Sequence, residues 1–90
     1  MNKKEQEIPK WFQGEIYEEG CVVANPYSGE EYELNNVEAS IYDFLIGCQA
    51  LIEFSGGFFN PKTFKLQKEM RKGLDWFRRN NAEAYMVLLD

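Results

Sequence analysis

Apolar residues in the first third of the chain fall in short runs broken by turn formers, while those beyond residue 36 recur every three or four positions. The pattern therefore predicts strands followed by helices. Glu15-Ile16-Tyr17 and Cys21-Val22-Val23-Ala24 read as two strands joined by a tight Glu18-Glu19-Gly20 turn. Asn25-Pro26-Tyr27-Ser28-Gly29 supplies the next turn, because proline presets φ at an early turn position and glycine permits a positive φ at a late one. Glu31-Tyr32-Glu33-Leu34 then alternates as a half-buried strand does. A hairpin or three-stranded antiparallel meander follows, too small to be stable without a helical partner.

That partner is predicted over residues 37–54. Asn35 stands three residues before Glu38, the spacing of a capping box, with Leu34 and Ala39 placed as a weak hydrophobic staple and Asn36 as the competing cap. From Val37, the apolar residues Ile41, Phe44, Leu45, Cys48, Leu51 and Ile52 project within an arc of about 120°. Gly47 lies inside this helix, where it costs roughly 1 kcal/mol relative to alanine and leaves room for another element to approach.

Ser55-Gly56-Gly57 ends the first helix, and Asn60-Pro61 is an N-cap followed by proline at the first helical position. In the resulting helix, 61–80, Leu66, Met70, Leu74 and Phe77 form the inward stripe. Lys62, Lys65, Lys68, Lys72 and Arg79 occupy the opposite side, with Trp76 near its edge and Arg71 and Arg78 flanking it. Asn80-Asn81 breaks the helix, and Asn81 caps a short terminal helix over 82–89; a terminal strand completing the sheet is the alternative.

The fold class expected is α+β: a small N-terminal antiparallel hairpin or three-stranded meander packed against two main helices and a short C-terminal helix. Residues 1–9 are polar and are expected to be a flexible segment, leaving 10–90 as a single domain. Trp11, Phe12, Phe54, Phe58, Phe59, Phe64 and Trp76 do not all fit the predicted stripes. They are expected to close the ends of the domain; any that gather into an exposed patch would be anchors for a protein partner.

Charge is divided along the chain. Residues 1–59 hold eleven acidic side chains against three lysines, whereas residues 60–80 hold seven basic side chains against two acidic ones. The net charge of −5 disfavours general attraction to polyanions, so any contact with nucleic acid would be local to the basic helix. No run approaches the roughly 18 apolar residues of a spanning helix and no secretory pattern is present, which makes a cytoplasmic location and no membrane contact the expectation.

Catalytic chemistry has little support in the composition. Histidine is absent, so Ser28 and Ser40 have no imidazole base; Cys21 and Cys48 are expected to be reduced and at least partly buried, and the Cys48 thiol, on the apolar face of its helix, to be inert. Glu30-Glu31-x-Glu33 lacks the glycine-centred pattern of a calcium loop, and Ser55-Gly56-Gly57-Phe58-Phe59 lacks the lysine of a phosphate loop. No metal or cofactor is expected.

These observations direct attention to the surface. The expected function is that of a non-enzymatic accessory or regulatory protein acting through protein–protein interaction, with self-association of an acidic hairpin and a basic helix face as one form of it. Lys65, Lys68, Lys72, Trp76 and Arg79 are the candidate contact residues on the helix, and Glu30, Glu31 and Glu33 are the acidic counterpart. A nucleic-acid module is the alternative, with the same cations on phosphates and Trp76 stacked on a base.

Overall fold

The computed structural model describes residues 8–12 and 14–89. The expectation of a flexible segment over 1–9 therefore lies, for residues 1–7, outside the described residues. Strands β1 (Cys21–Ala24) and β2 (Glu31–Leu34) form a two-stranded antiparallel hairpin, with Cys21 opposite Leu34 and Ala24 opposite Glu31. Asn25 organises its turn: Oδ1 accepts from the amides of Tyr27 and Ser28, while Nδ2 donates to the Val87 carbonyl and ties the turn to the C-terminal segment. Val23, Tyr32 and Leu34 share the inward face, leaving Val22, Glu31 and Glu33 outside.

The strand expected at residues 15–17 does not form. Its backbone is taken up by side chains of the first helix: the Tyr17 amide donates to Ser40 Oγ, and Asn36 Nδ2 donates to the Tyr17 carbonyl. Gly20 then passes so close to β2 that a Cβ there would fall 2.0 Å from the Leu34 carbonyl oxygen. Ile16 still packs on the core, so the apolar signal was one of burial rather than of strand pairing.

Helix α1 runs over Asn36–Phe54, one residue longer than expected, and Asn35 rather than Asn36 is its cap. Both halves of the capping box are present: the Glu38 amide donates to Asn35 Oδ1 and the Asn35 amide donates to Glu38 Oε1. The first half of α1 is met by Tyr17 at Ser40, by Phe12 at Phe44 and by Asn81 at Glu38, and Glu38, Ala39, Ser40, Ile41 and Tyr42 are all buried. Its second half has only one helix against it. Burial there narrows to Leu45, Cys48 and Ile52, and Leu51, expected inside, is exposed.

Pro61–Thr63 form one 3₁₀ turn before α2 (Phe64–Asn80), so the expected helix 61–80 begins in a tighter geometry. Gly73 marks where α2 meets α1. A Cβ at Gly73 would lie 2.6 Å from Leu45 Cδ2, whereas one at Gly47 would meet nothing within 4 Å. The close approach expected at Gly47 is made at Gly73 instead, because Gly47 faces solvent on the uncovered side of α1. On α2 the buried residues are Gly73, Trp76 and Phe77, with Leu66, Met70 and Leu74 half-buried.

After the Asn81 cap, α3 (Ala82–Ala84) continues into a π-helical segment, Tyr85–Leu89, and buries Ala84 and Leu88. The terminal segment is helical, not a third strand. Trp11, Phe12 and Phe44 close one side of the core with ring centroids 5.6–6.1 Å apart.

Candidate binding surface

Asn60 starts the basic segment by accepting the Lys62 amide at 2.9 Å. From there, helical spacing sets Lys65, Lys68, Lys72 and Arg79 along one exposed face of α2, spanning about 21 Å at 1.5 Å per residue. Two ion pairs are formed among the described residues, both within α2: Lys72–Glu69 at 3.1 Å and Arg78–Asp75 at 2.9 Å. Each is exposed and contributes at most about 1 kcal/mol. Arg78 also lies over the Tyr85 ring, 5.5 Å from its centroid. Lys65, Lys68 and Arg79 take part in no ion pair among the described residues.

Trp76 departs from its expected place. It is only 8% exposed, packed edge-to-face against Phe77 with centroids 5.2 Å apart, so it is not a free anchor or a stacking platform. Gly73 explains the position: three residues before Trp76 it faces α1, which turns Trp76 to the inward flank of α2. The tryptophan still contributes to a surface groove of about 350 Å³ with Pro9, Trp11, Lys72, Asp75, Arg79 and Asn80. Lys72, Trp76 and Arg79 thus meet around one groove, and Lys65 and Lys68 continue the basic face beyond it.

The acidic counterpart stays apart from this face. Glu30 closes the hairpin turn, and Glu31 and Glu33 lie exposed on the outward face of β2, opposite Ala24 and Val22. The hairpin packs against the start of α1 and the Tyr85–Leu89 segment rather than over the basic side of α2. No ion pair joins hairpin to α2 among the described residues.

Four of the aromatics that exceeded the sequence stripes remain outside the core. Phe54 is 90% exposed and Phe59 98%, with Phe58 at 44% and Phe64 at 55%. They surround the α1–α2 turn rather than closing the domain end, whereas Trp11, Phe12 and Trp76 do pack inward. Their signal in the sequence was the absence of any facing element to cover them. Gly56 and Gly57, at φ 112° and 89°, build a turn that only glycine adopts easily.

Both candidate serines are taken up in structural hydrogen bonds. Ser40 is buried, donating to the Asn36 carbonyl and accepting from Tyr17, and Ser28 Oγ accepts the Glu30 amide. Burial, with the nearby Glu69 charge second, pushes the Cys48 thiol up. Cys21 is exposed, contrary to expectation, because it begins the edge strand β1 where nothing covers it. Tyr17 donates to Asp43 beside a shallow cavity of about 270 Å³, and that hydrogen bond raises its pKa.

No group of three or more histidine, cysteine, aspartate or glutamate side chains that could hold a metal occurs among the described residues, and none of their helices is long and apolar enough to cross a membrane. No family model, curated protein or solved structure matches this chain.

Proposed function

We propose that the protein is a non-enzymatic accessory or regulatory module whose basic α2 face takes an acidic protein surface. The observation that carries this reading is the charge division left uncompensated within the fold: the hairpin glutamates and Lys65, Lys68 and Arg79 make no ion pair with one another, and the hairpin packs elsewhere. Fields of opposite sign on two separate surfaces steer encounters and suppress wrong partners. The hairpin of a second copy is the acidic surface that the chain itself supplies. Lys65, Lys68, Lys72 and Arg79 would orient the partner, with the groove beside Trp76 receiving one of its side chains. The nucleic-acid alternative has lost its stacking group, because Trp76 is enclosed.

Light scattering across protein concentration and salt, followed by capture of acidic partners, tests this reading. Exchanging Lys68 and Lys72 for glutamate is expected to abolish a salt-sensitive complex without unfolding the domain, since both residues are exposed and surface changes of this kind usually cost within about 0.5 kcal/mol. The absence of any complex that salt weakens and K68E/K72E abolishes would refute it. Salt-dependent binding to single- or double-stranded nucleic acid, lost in the same variant, would replace it with the alternative.

A further inference from the structure

The shallow cavity of about 270 Å³ beside Tyr17 is built without any residue of α2, and so stands apart from the basic face. Phe12, Tyr17 and Phe44 are its aromatic lining, and Glu15 and Asp43 are its charged groups; no lysine or arginine among the described residues lines it. Neither carboxylate takes part in an ion pair among the described residues. Both are exposed, so a ligand reaches them without the fold opening.

The lining is held in place. Phe12 and Phe44 meet edge to face with centroids 5.6 Å apart, and Trp11 packs on both. Tyr17 is tied to α1 at three atoms: its amide donates to Ser40 Oγ, its carbonyl accepts from Asn36 Nδ2 and its hydroxyl donates to Asp43 Oδ2. That last bond raises the Tyr17 pKa, with burial and the charges of Asp43 and Glu15 adding to it, so both carboxylates act at the same hydroxyl. A site ordered before binding loses less entropy on contact.

Negative charge beside aromatic rings calls for a cation with an apolar body. The rings attract positive charge at their faces, the carboxylates supply the counter-charge, and an ammonium carrying carbon substituents meets both. A bare metal ion is served poorly: calcium takes about six to eight oxygen ligands, and the hydroxyls of Ser40 and Tyr17 are already bonded. The volume falls just below the roughly 300 Å³ at which pockets for whole drug-sized ligands begin, which fits a single head group. We infer that this cavity binds an alkylammonium group, with Asp43 and Glu15 as its counter-charges and Phe12, Tyr17 and Phe44 around its carbon substituents.

Choline is the first probe, because its charge does not titrate, and its neutral carbon analogue, with tert-butyl in place of trimethylammonium, is the control. NMR titration of the full chain at about 0.15 M salt is expected to shift the signals of Phe12, Tyr17 and Phe44 with choline. The neutral analogue should bind about tenfold more weakly, having lost the cation–π and ion-pair contributions together. Asp43→Asn (D43N) should weaken choline about fivefold, with thermal unfolding confirming an intact fold. K68E/K72E should bind choline as the parent does, which separates this site from the basic-face reading. A trilysine peptide binding more tightly than choline would identify a lysine side chain as the source of the ammonium, and the reverse order a free organic cation. Equal binding of the neutral analogue, choline binding untouched by D43N, or no shift at these residues with either cation up to about 10 mM would overturn the inference. So would calcium displacing choline at equal concentration, since the site would then belong to a metal ion.

Discussion

Glu38 and Asn81, 43 residues apart in the chain, are joined by a 2.8 Å hydrogen bond from Asn81 Nδ2 to Glu38 Oε2. Each is a cap residue for a different helix. Glu38 Oε1 receives the Asn35 amide at the start of α1, and Asn81 Oδ1 receives the Ala84 amide at the start of α3 and the Tyr32 hydroxyl from β2. One bond between two local capping motifs thus connects the hairpin, the long helix and the chain's end around a glutamate that is 1% exposed.

Replacing Glu38 with glutamine (E38Q) should destabilise the fold despite the similar shape. Two donors, from Asn35 and Asn81, converge on the two carboxylate oxygens, so a glutamine amide group would face one of them. Turning the Asn81 amide over would set its NH2 against the Ala84 amide and sacrifice the cap of α3. The expected loss is about 1–3 kcal/mol, read by urea unfolding with an unchanged m-value. Replacing Asn81 with alanine (N81A) removes a cap as well and should cost about 2–4 kcal/mol.

The two helical glycines should respond in opposite directions. Gly47→Ala meets no neighbour and gains helix propensity, raising stability by up to about 1 kcal/mol. Gly73→Ala gains the same propensity but drives a methyl against the fully buried Leu45, where overpacking costs about 1–3 kcal/mol. Thermal unfolding should show Tm rising in the first variant and falling in the second; the same sign in both would contradict the packing of Gly73 in α2 against Leu45 in α1.

Thiol labelling should separate the cysteines. Cys21 is exposed and should react at once, whereas Cys48 is buried with its thiol held above the ordinary value, so little thiolate forms and the reagent must await opening of the fold. Its labelling should be slower by a factor on the order of 10³ or more. Exchanging Cys21 for serine should remove the fast phase entirely; two fast thiols per chain would contradict the packing of α1.

Tyr17 should ionise above the ordinary tyrosine value of 10.0, because its hydroxyl donates to Asp43 and the carboxylate opposes the tyrosinate. The fold therefore favours the protonated form. Its stabilising contribution is complete below pH 10 and is lost as pH rises through the raised folded value. Asp43→Asn (D43N) should bring the Tyr17 titration down, followed by the ring's NMR shift. An unmoved titration would show that Asp43 is not its partner.

Local rules were enough for the elements that close on themselves. Asn35 and Glu38 are three residues apart, Asn60 precedes Pro61, and Asn81 opens the last segment, and all three caps form as that spacing demands. The basic face of α2 follows equally from helical periodicity. Ile16 misled because burial and strand pairing leave the same short-range mark. Trp76 misled because it lies at a stripe boundary, and its sequence does not say which side of Gly73 a second helix will cover.

Sequence alone determined the order of hairpin and helices, their caps and the division of charge, since each depends on residues within one or two turns of each other. Tertiary structure decided which apolar residues are core: it enclosed Trp76 and left Leu51, Phe54 and Phe59 exposed. It also decided that the hairpin lies away from the basic face. The physical reason is coverage. A helix's periodicity states which face is apolar, but burial depends on whether another element lies against that face, and over the second half of α1 only α2 is there to do it.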